Sequence, residues 1–461
     1  MWYNFIKTNF KKRGKTMDNK ETNQQGEKKH QYTFLQPTYY KDFKCSGDKC
    51  SLNCCNYNWN ISVDKATYKK YQAFNGDKET KELLKKHIKR NRNAKNDFEY
   101  GKLVQTREPV VIDFPNIKDG KDTSYNRLIW TIGCPFQDEK GLCKIHSNIG
   151  YEGLCITCKK FPRIINKIFD GYERSLYLGC EEVSKLLYNE KNGISFEIVK
   201  EDNNDLNIYN NILNNSINPI LNYYDIIRIT CLQILQYQQL SLDNRMILLA
   251  VFMFKIDEFN NNKQYDKIEP YIATFFENID MYKPLFNIEK QRQDITLQFV
   301  IKAINRRSDN LGSKDLVLDI RNIILDIVKV YACIEEKNNS ILSPLYNEYK
   351  VNRDNLMKDK EYFIENIFVH LFFKDNYTFN TIYSIKENAI IFLSIYIYFK
   401  GLISFMLHNE KSLNEDTLHR IVTVFGRTYA DQSKGKKLIL NSFKDAQLDN
   451  LAFLSVLIKS I

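Results

Sequence analysis

Residues 45–55 read Cys45-Ser46-Gly47-Asp48-Lys49-Cys50-Ser51-Leu52-Asn53-Cys54-Cys55, a C-x4-C-x3-C-C run. A second group follows: Cys134-Pro135-Phe136, Cys143 with His146 three residues on, Cys155-Ile156-Thr157-Cys158, and Cys180. Nine of the 11 cysteines fall between Cys45 and Cys180, and only Cys231 and Cys333 come later. Packing alone gives no reason for so lopsided a density. Thiolates are soft ligands, so their convergence favours zinc or an iron–sulfur cluster over hard cations. Four thiolates complete one such site, which leaves room for a second site or for spare structural thiols. Neighbouring side chains generally point apart, so Cys54 and Cys55 do not easily reach the same metal atom. The spacing is neither the C-x3-C-x2-C of radical S-adenosylmethionine enzymes nor a bacterial ferredoxin run. The CxxC…HxxxH pattern of zinc fingers is also missing, although Cys143-x2-His146 offers a Cys/His pair and makes His146 a candidate ligand. Spacing alone leaves iron and zinc open.

Working outward, the chain has 461 residues, 43% hydrophobic and 27% charged, enough to bury a large core. That excludes a disordered chain or a small disulfide-stapled scaffold. No apolar run of signal-peptide length follows Met1, and Lys11, Lys12, Arg13 and Lys15 come at once. The expectation is a cytoplasmic protein whose thiols are reduced or metal-bound. The apolar stretch 389–407 carries Lys400, and its uncharged part before that lysine is only 11 residues long. A membrane span needs about 20 apolar residues, so this reads as a buried core helix and no membrane partner is expected. The formal charge is +11, of which +5 sits in the first 33 residues. The run Lys85, Lys86, Lys89, Arg90, Arg92, Lys95 reads as a solvated face, and no nucleic-acid partner is indicated.

Residues 1–33 are polar and read as a disordered basic tail. Up to residue 180 there are 12 Gly and 5 Pro, against 5 and 4 in the remaining 281 residues. This shift in punctuation marks a loop-rich cysteine/metal domain over 34–200, followed by an all-α domain over 201–461. The overall class is mainly α. Asp64 is a candidate N-cap for a helix beginning at Lys65, and 110–114 and 128–132 are strand-like. Leu316, Ile320, Ile323, Ile324, Ile327, Tyr331 and Ile334 make a helical core stripe.

The cysteine run with Trp59-Asn60-Ile61-Ser62-Val63-Asp64 resembles the opening of the bacterial flagellin lysine-N-methylase family. So do the blocks Gly133-Cys134-Pro135-Phe136, Leu154-Cys155-Ile156-Thr157-Cys158-Lys159-Lys160-Phe161-Pro162-Arg163 and Arg174-Ser175-Leu176-Tyr177-Leu178-Gly179-Cys180. The cysteine-rich part is also similar to a broader class of small iron- or zinc-chelating domains. Asp225-Ile226-Ile227-Arg228 and Leu240-Ser241-Leu242-Asp243-Asn244-Arg245 are similar to the family's first helical hairpin. Phe425-Gly426-Arg427 resembles its Phe-Ser-Arg signature, but Ala430 and Asp431 stand where a Glu and a His would follow. Gly179-Cys180-Glu181-Glu182 departs from the usual Ser-Cys-Pro-Glu.

The resemblance implies transfer of a methyl group from S-adenosylmethionine to surface lysines of flagellin, with an iron–sulfur cluster in the cysteine-rich domain. By position, the family cysteines are Cys45, Cys50, Cys54, Cys55, Cys134, Cys143, Cys158 and Cys180, with Cys155 the extra one. Zinc is the alternative metal. The cluster is expected to be mainly structural, because polar displacement by an amine needs no redox step. No Gly-x-Gly-x-x-Gly loop follows a strand, so a Rossmann-type donor pocket is not indicated. Arg163, Arg228 and Arg427, with Arg245, are candidates to clamp the donor's carboxylate or, in the plainer reading, to form structural ion pairs. The 29 Tyr and 56 acidic residues are too many to single out a catalytic base. Two other readings stand beside this one: a non-catalytic metal-binding or redox-sensing scaffold with a helical partner-binding domain, and a zinc-stabilised nucleic-acid binder.

Overall fold

The computed structural model describes residues 21–22, 28–29, 31–57, 59–118, 121–169, 171–202, 210–213, 218–287, 339–379, 382–407, 410–427 and 433–460. The helical stripe read between Leu316 and Ile334 lies outside these residues, as does Cys333. In chain order the first strands are β1 (Glu21–Thr22), β2 (Lys28–Lys29), β3 (Gln31–Pro37) and β4 (Ser62–Val63). Helices α1 (Lys65–Gln72) and α2 (Lys78–His87) come next, then β5 (Ile88–Arg90), β6 (Gly101–Leu103), and the hairpin strands β7 (Thr106–Lys118) and β8 (Lys121–Gly133). Short helices α3 (Lys144–Ile149) and α4 (Ile156–Lys160) lead to β9 (Arg163–Ile168), β10 (Gly171–Leu176), α5 (Glu181–Asn189), β11 (Phe196–Asp202) and β12 (Asn210–Leu213).

The remainder is helical, as its scarcity of Gly and Pro suggests: α6 (Tyr224–Leu235), α7 (Leu242–Asn261), α8 (Ile268–Thr274), α9 (Lys283–Phe286) and α10 (Asn339–Leu356). It closes with α11 (Glu361–Asp375), α12 (Ile385–Leu407), α13 (Glu415–Phe425), α14 (Ser433–Asp445) and α15 (Leu451–Ser460). The fold is mainly α, with its strands gathered in the first half. The α6–α7 hairpin stands where the sequence places it.

The cysteine-rich half is more ordered than a loop-rich reading implies. A five-stranded mixed sheet runs β11-β3-β10-β9-β12, with β3 parallel to β10 and antiparallel to β11. Strand β3 starts at Gln31, so the last residues of the expected tail are extended and paired with β11. A small sheet, β4-β6-β5, sits beside α1 and α2. The Asp64 side chain accepts from the Thr67 amide and starts α1, as its N-cap pattern requires. The strand-like runs at 110–114 and 128–132 are parts of one long antiparallel hairpin, β7–β8. Lys85, Lys86, Lys89, Arg90, Arg92 and Lys95 are all solvent-exposed.

Two cores result. A small one joins Ile61, Val63, Tyr71, Leu84, Ile88, Leu103, Phe136 and Ile145, with Cys155 among them. A large one runs without a break from Tyr39 and Leu52 through Leu176 and Leu187 to the helices, and so unites the five-stranded sheet with the α domain. Its centre is α12, nearly all of whose side chains are buried. This is the one helix among the described residues long and apolar enough to cross a bilayer, and 94% of its apolar window lies inside the protein. Lys400 on that helix meets Asp243 Oδ1 at 2.7 Å, which also accepts from the Tyr396 hydroxyl at 2.6 Å. Charge is tolerated there because it is paired and hydrogen-bonded.

Candidate metal centre

Local turns bring the cysteines together. Asp138 Oδ1 accepts from the amides of Lys140 (2.9 Å) and Leu142 (2.8 Å), folding 134–143 back so that Gln137 bridges to Cys143. Asp64 ties the two ends of the lobe: Oδ1 caps α1, while Oδ2 accepts from the Ile156 amide at 3.2 Å at the start of α4. Thr157 Oγ1 donates to the Ser62 carbonyl (3.0 Å) and accepts from its amide (3.1 Å). Trp59 Nε1 donates to the Cys54 carbonyl at 2.8 Å and holds the first cysteine run against the same wall.

Three cysteines occupy one kind of position: Cys143, Cys155 and Cys180 are the N-cap residues of α3, α4 and α5. A helix start directs its free amides at whatever sits there and favours negative charge on it. The amides of His146 and Ile145 oppose the burial of Cys143, those of Cys158 and Thr157 face Cys155, and those of Glu182 and Val183 face Cys180.

The thiols interact in two linked groups. Cys55 lies close to the thiols of Cys134 and Cys54, and Cys158 to that of Cys155; Cys143 lies close enough to feel Cys155 and Cys54. Cys50 and Cys180 are near enough to Cys54 to feel its charge. Contact among so many sulfurs suppresses ionisation. The neighbouring Cys134 thiol together with burial pushes the Cys55 thiol up to about 12. The neighbouring Cys55 thiol and burial hold Cys54 well above the ordinary thiol range. Burial, then the Glu181 carboxylate, lifts Cys50 to about 11, and burial lifts Cys180 to about 12. Only Cys155 moves down among these, through the neighbouring Cys158 thiol, which is itself raised.

The donor set therefore fits a soft metal centre: thiols from separate chain segments, most of them buried or half-buried with Cys158 exposed, and helix amides aimed at several of them. Among the described residues, no three His, Cys, Asp or Glu side chains converge as a ready cage for a single ion. Cys45 is exposed at the lobe's edge. Cys155, the extra cysteine of the resemblance, lies inside the group. His146 is solvent-exposed on α3. Cys231 is fully buried on α6, within the large core.

The arginines hold structure. Arg228 grips Glu173 through both terminal nitrogens (2.6 and 2.8 Å) and donates to the Phe373 carbonyl. Arg245 donates to Glu365 Oε2 (2.5 Å), Glu361 Oε1 (3.0 Å) and the Leu235 carbonyl (2.9 Å). Arg163 is exposed and lies over the Phe43 ring.

Arg427 differs. It is 2% exposed and follows α13, yet its Nη2 donates to the Leu52 carbonyl (2.6 Å) and its Nε to the Gly179 carbonyl (2.9 Å). It thereby pins the 50–54 loop and the approach to Cys180 onto the helical domain, and its charge favours the thiolates of Cys50 and Cys54. The Tyr57 hydroxyl returns a bond to the Arg427 carbonyl at 2.8 Å.

Sequence reasoning missed Glu181. Its Oε2 accepts from the Ser51 hydroxyl (2.6 Å) and the Leu52 amide (3.1 Å), so the first residue of α5 clamps the 50–54 loop. Burial works against its charge, but the bonds from Ser51, Lys185 and Leu52 leave its carboxyl below the ordinary range. The available signal was the departure from Ser-Cys-Pro-Glu, which puts an acid beside a cysteine at a helix start.

A family model described as the FliB lysine N-methylase C-terminal domain matches residues 228–457. A lysine-N-methylase of Salmonella typhimurium is 22% identical over 407 residues, covering 85% of this chain and 90% of the relative. A flagellar biosynthetic protein FliU of Salmonella muenchen is 28% identical over 164 residues, 35% of this chain and 81% of that protein. A lysine-N-methylase of Salmonella choleraesuis is 28% identical over 164 residues, 35% of this chain and 34% of its own. No solved structure matches the chain.

Proposed function

The chain belongs to the FliB lysine N-methylase family and is a lysine N-methyltransferase; from that premise we propose that it methylates surface lysines of flagellin, with S-adenosylmethionine as donor and an iron–sulfur cluster held by the cysteine-rich lobe. The flagellar name of the Salmonella muenchen relative supports that substrate. The observation that supports the cluster is that Cys54, Cys55, Cys134, Cys143, Cys155 and Cys158, from separate chain segments, lie near enough to perturb one another's ionisation, with Cys50 and Cys180 alongside.

When bound, such a cluster supplies cross-links between chain segments that a small lobe cannot otherwise hold together. The protein's own residues supply the rest of the frame. Glu181 and Arg427 tie the 50–54 loop to α5 and to the end of α13. Methyl transfer is an in-line displacement at the sulfonium methyl carbon by a neutral amine. The target lysine, with an ordinary pKa of about 10.4, must therefore lose its proton before attack. A rigid scaffold contributes by holding donor and amine in line, which is worth several kcal/mol of barrier.

The test is anaerobic incubation of the protein with S-adenosylmethionine and flagellin, read by mass spectrometry of the flagellin. The expected result is a mass increment of one methylene per methylation, confined to lysine peptides. Unmodified flagellin, with a fully folded and metal-loaded protein, contradicts the reading.

A further inference from the structure

We propose that the exposed basic face around β5 and β6 docks the protein substrate, and that flagellin meets it with a cluster of acidic side chains. This rests on the reading of the chain as a flagellin methylase. Residues 85–107 hold eight Lys and Arg against two acids, a net of +6 in a chain whose total is +11. One of the two acids, Asp97, is already paired with Lys65 at 3.3 Å. Lys85, Lys86, Lys89, Arg92 and Lys102 are exposed, and among the described residues none of them pairs with a carboxylate.

Part of this charge has a structural reason. Lys85 and Lys86 stand in the last turn of α2, where a helix end favours cations. Lys89 lies on the edge strand β5, and a lysine there discourages stray strand pairing. Lys102 has neither reason. It sits on β6, the middle strand of its sheet, directly opposite Lys89. Like charges set opposite each other across two strands are destabilising. Lys89 Nζ donates to the Lys85 carbonyl at 3.0 Å, which gives it a hydrogen bond but no counter-charge. A carboxylate brought by a partner relieves the repulsion, and a face of one sign draws such a partner in from a distance.

The neighbouring surface favours protein over nucleic acid. From Lys102 the chain runs through Val104 and Arg107 into the β7–β8 hairpin, where Val111 stands opposite Leu128 and Pro109 opposite Trp130. Val104, Val111, Leu128 and Trp130 are all exposed. Alternation along the strands puts the four hairpin residues on one face. An apolar patch with an aromatic side chain, rimmed by charge, has the make-up of a protein–protein interface. Nucleic-acid interfaces are more polar.

Flagellin binding to the full chain without donor, and steady-state methylation by the same preparation, read docking and activity separately. Lys102→Glu sets an opposite charge against Lys89, so it should raise the melting temperature while weakening flagellin binding. A merely structural lysine would not give that opposition. Lys85→Gln, Lys86→Gln leaves the sheet untouched and should also weaken binding. Combined, the three substitutions should lower affinity and kcat/KM about tenfold or more with kcat at saturating flagellin unchanged, and should flatten the salt dependence of binding. Wild-type affinity and salt dependence in the combined variant overturn the docking face, and methylation by the wild type then leaves the methylase reading standing. Docking as expected without methylation supports the face and counts against the activity. A DNA duplex bound by the wild type and lost in the combined variant, with flagellin binding unaffected, assigns the face to nucleic acid and overturns the proposal.

Discussion

Gly179 and Gly426 meet backbone to backbone: a Cβ built on Gly426 would lie 2.6 Å from the Gly179 amide nitrogen and 2.6 Å from the Leu178 carbonyl carbon. The contact joins the approach to Cys180 with the end of α13, and the Arg427 bonds to Gly179 and Leu52 close over it. Both glycines stand where the family pattern carries serine. The two departures therefore fall on opposite sides of one contact, and each makes room for the other.

Gly426→Ala must push backbone against backbone, with no flexible side chain to yield. Overpacking of this kind costs about 1–3 kcal/mol. Urea unfolding should show a lower midpoint with an unchanged slope; an unchanged midpoint would mean that the two backbones do not touch in solution.

Removing the Arg427 guanidinium leaves two buried carbonyls without donors and takes away the cation beside Cys50 and Cys54. Arg427→Gln should lower stability by about 2 kcal/mol or more and reduce bound iron in proportion. Full iron content in a destabilised variant would separate the clasp from the cluster.

Arg228 and Glu173 form a bidentate pair, both nearly fully buried. Breaking it from one side, as in Glu173→Gln, should cost about 3–5 kcal/mol, because the guanidinium is left uncompensated. The double variant Glu173→Leu, Arg228→Met should recover most of that loss in a thermal-unfolding cycle. Additive losses would show that the two side chains are not coupled.

His370 is buried, its Nδ1 lies 2.5 Å from the Tyr39 hydroxyl, and burial, reinforced by the Lys374 charge, brings its pKa down to about 3. The unfolded chain protonates near the ordinary value of about 6.5, so between those limits it binds one more proton than the folded chain. Stability should thus be fully present above about pH 6.5 and fall by up to about 1.4 kcal/mol per pH unit as pH drops toward 3. His370→Gln should flatten that slope between pH 7 and 5; an identical slope in the variant would show that His370 is not the group responsible.

Much of this was legible locally. Asp64 announced α1, the resemblance around Asp225–Arg228 and Leu240–Arg245 placed the hairpin, and Lys400 inside an apolar run pointed to a buried core helix, where Asp243 pairs with it. These signals are read from a residue and its near neighbours. The five-stranded sheet was not legible, because β3 pairs with β10 and β11 across more than a hundred residues, and both its own strand and theirs are short. In the candidate centre, cysteine density was visible, but the N-cap positions of Cys143, Cys155 and Cys180 were not. Helices α3 and α4 are too short to show a period. Glu181 and Arg427 act through partners more than a hundred residues away in sequence, so their motifs marked the positions but not the contacts that they make.

The most direct measurement is the iron, acid-labile sulfide and zinc content of the anaerobically purified protein, compared with the Cys134→Ser and Cys158→Ser variants. A coloured protein containing iron and sulfide, with both variants losing metal and folded yield together, is the predicted result. Stoichiometric zinc without sulfide, or variants that fold fully while the metal is gone, would contradict a structural iron–sulfur cluster.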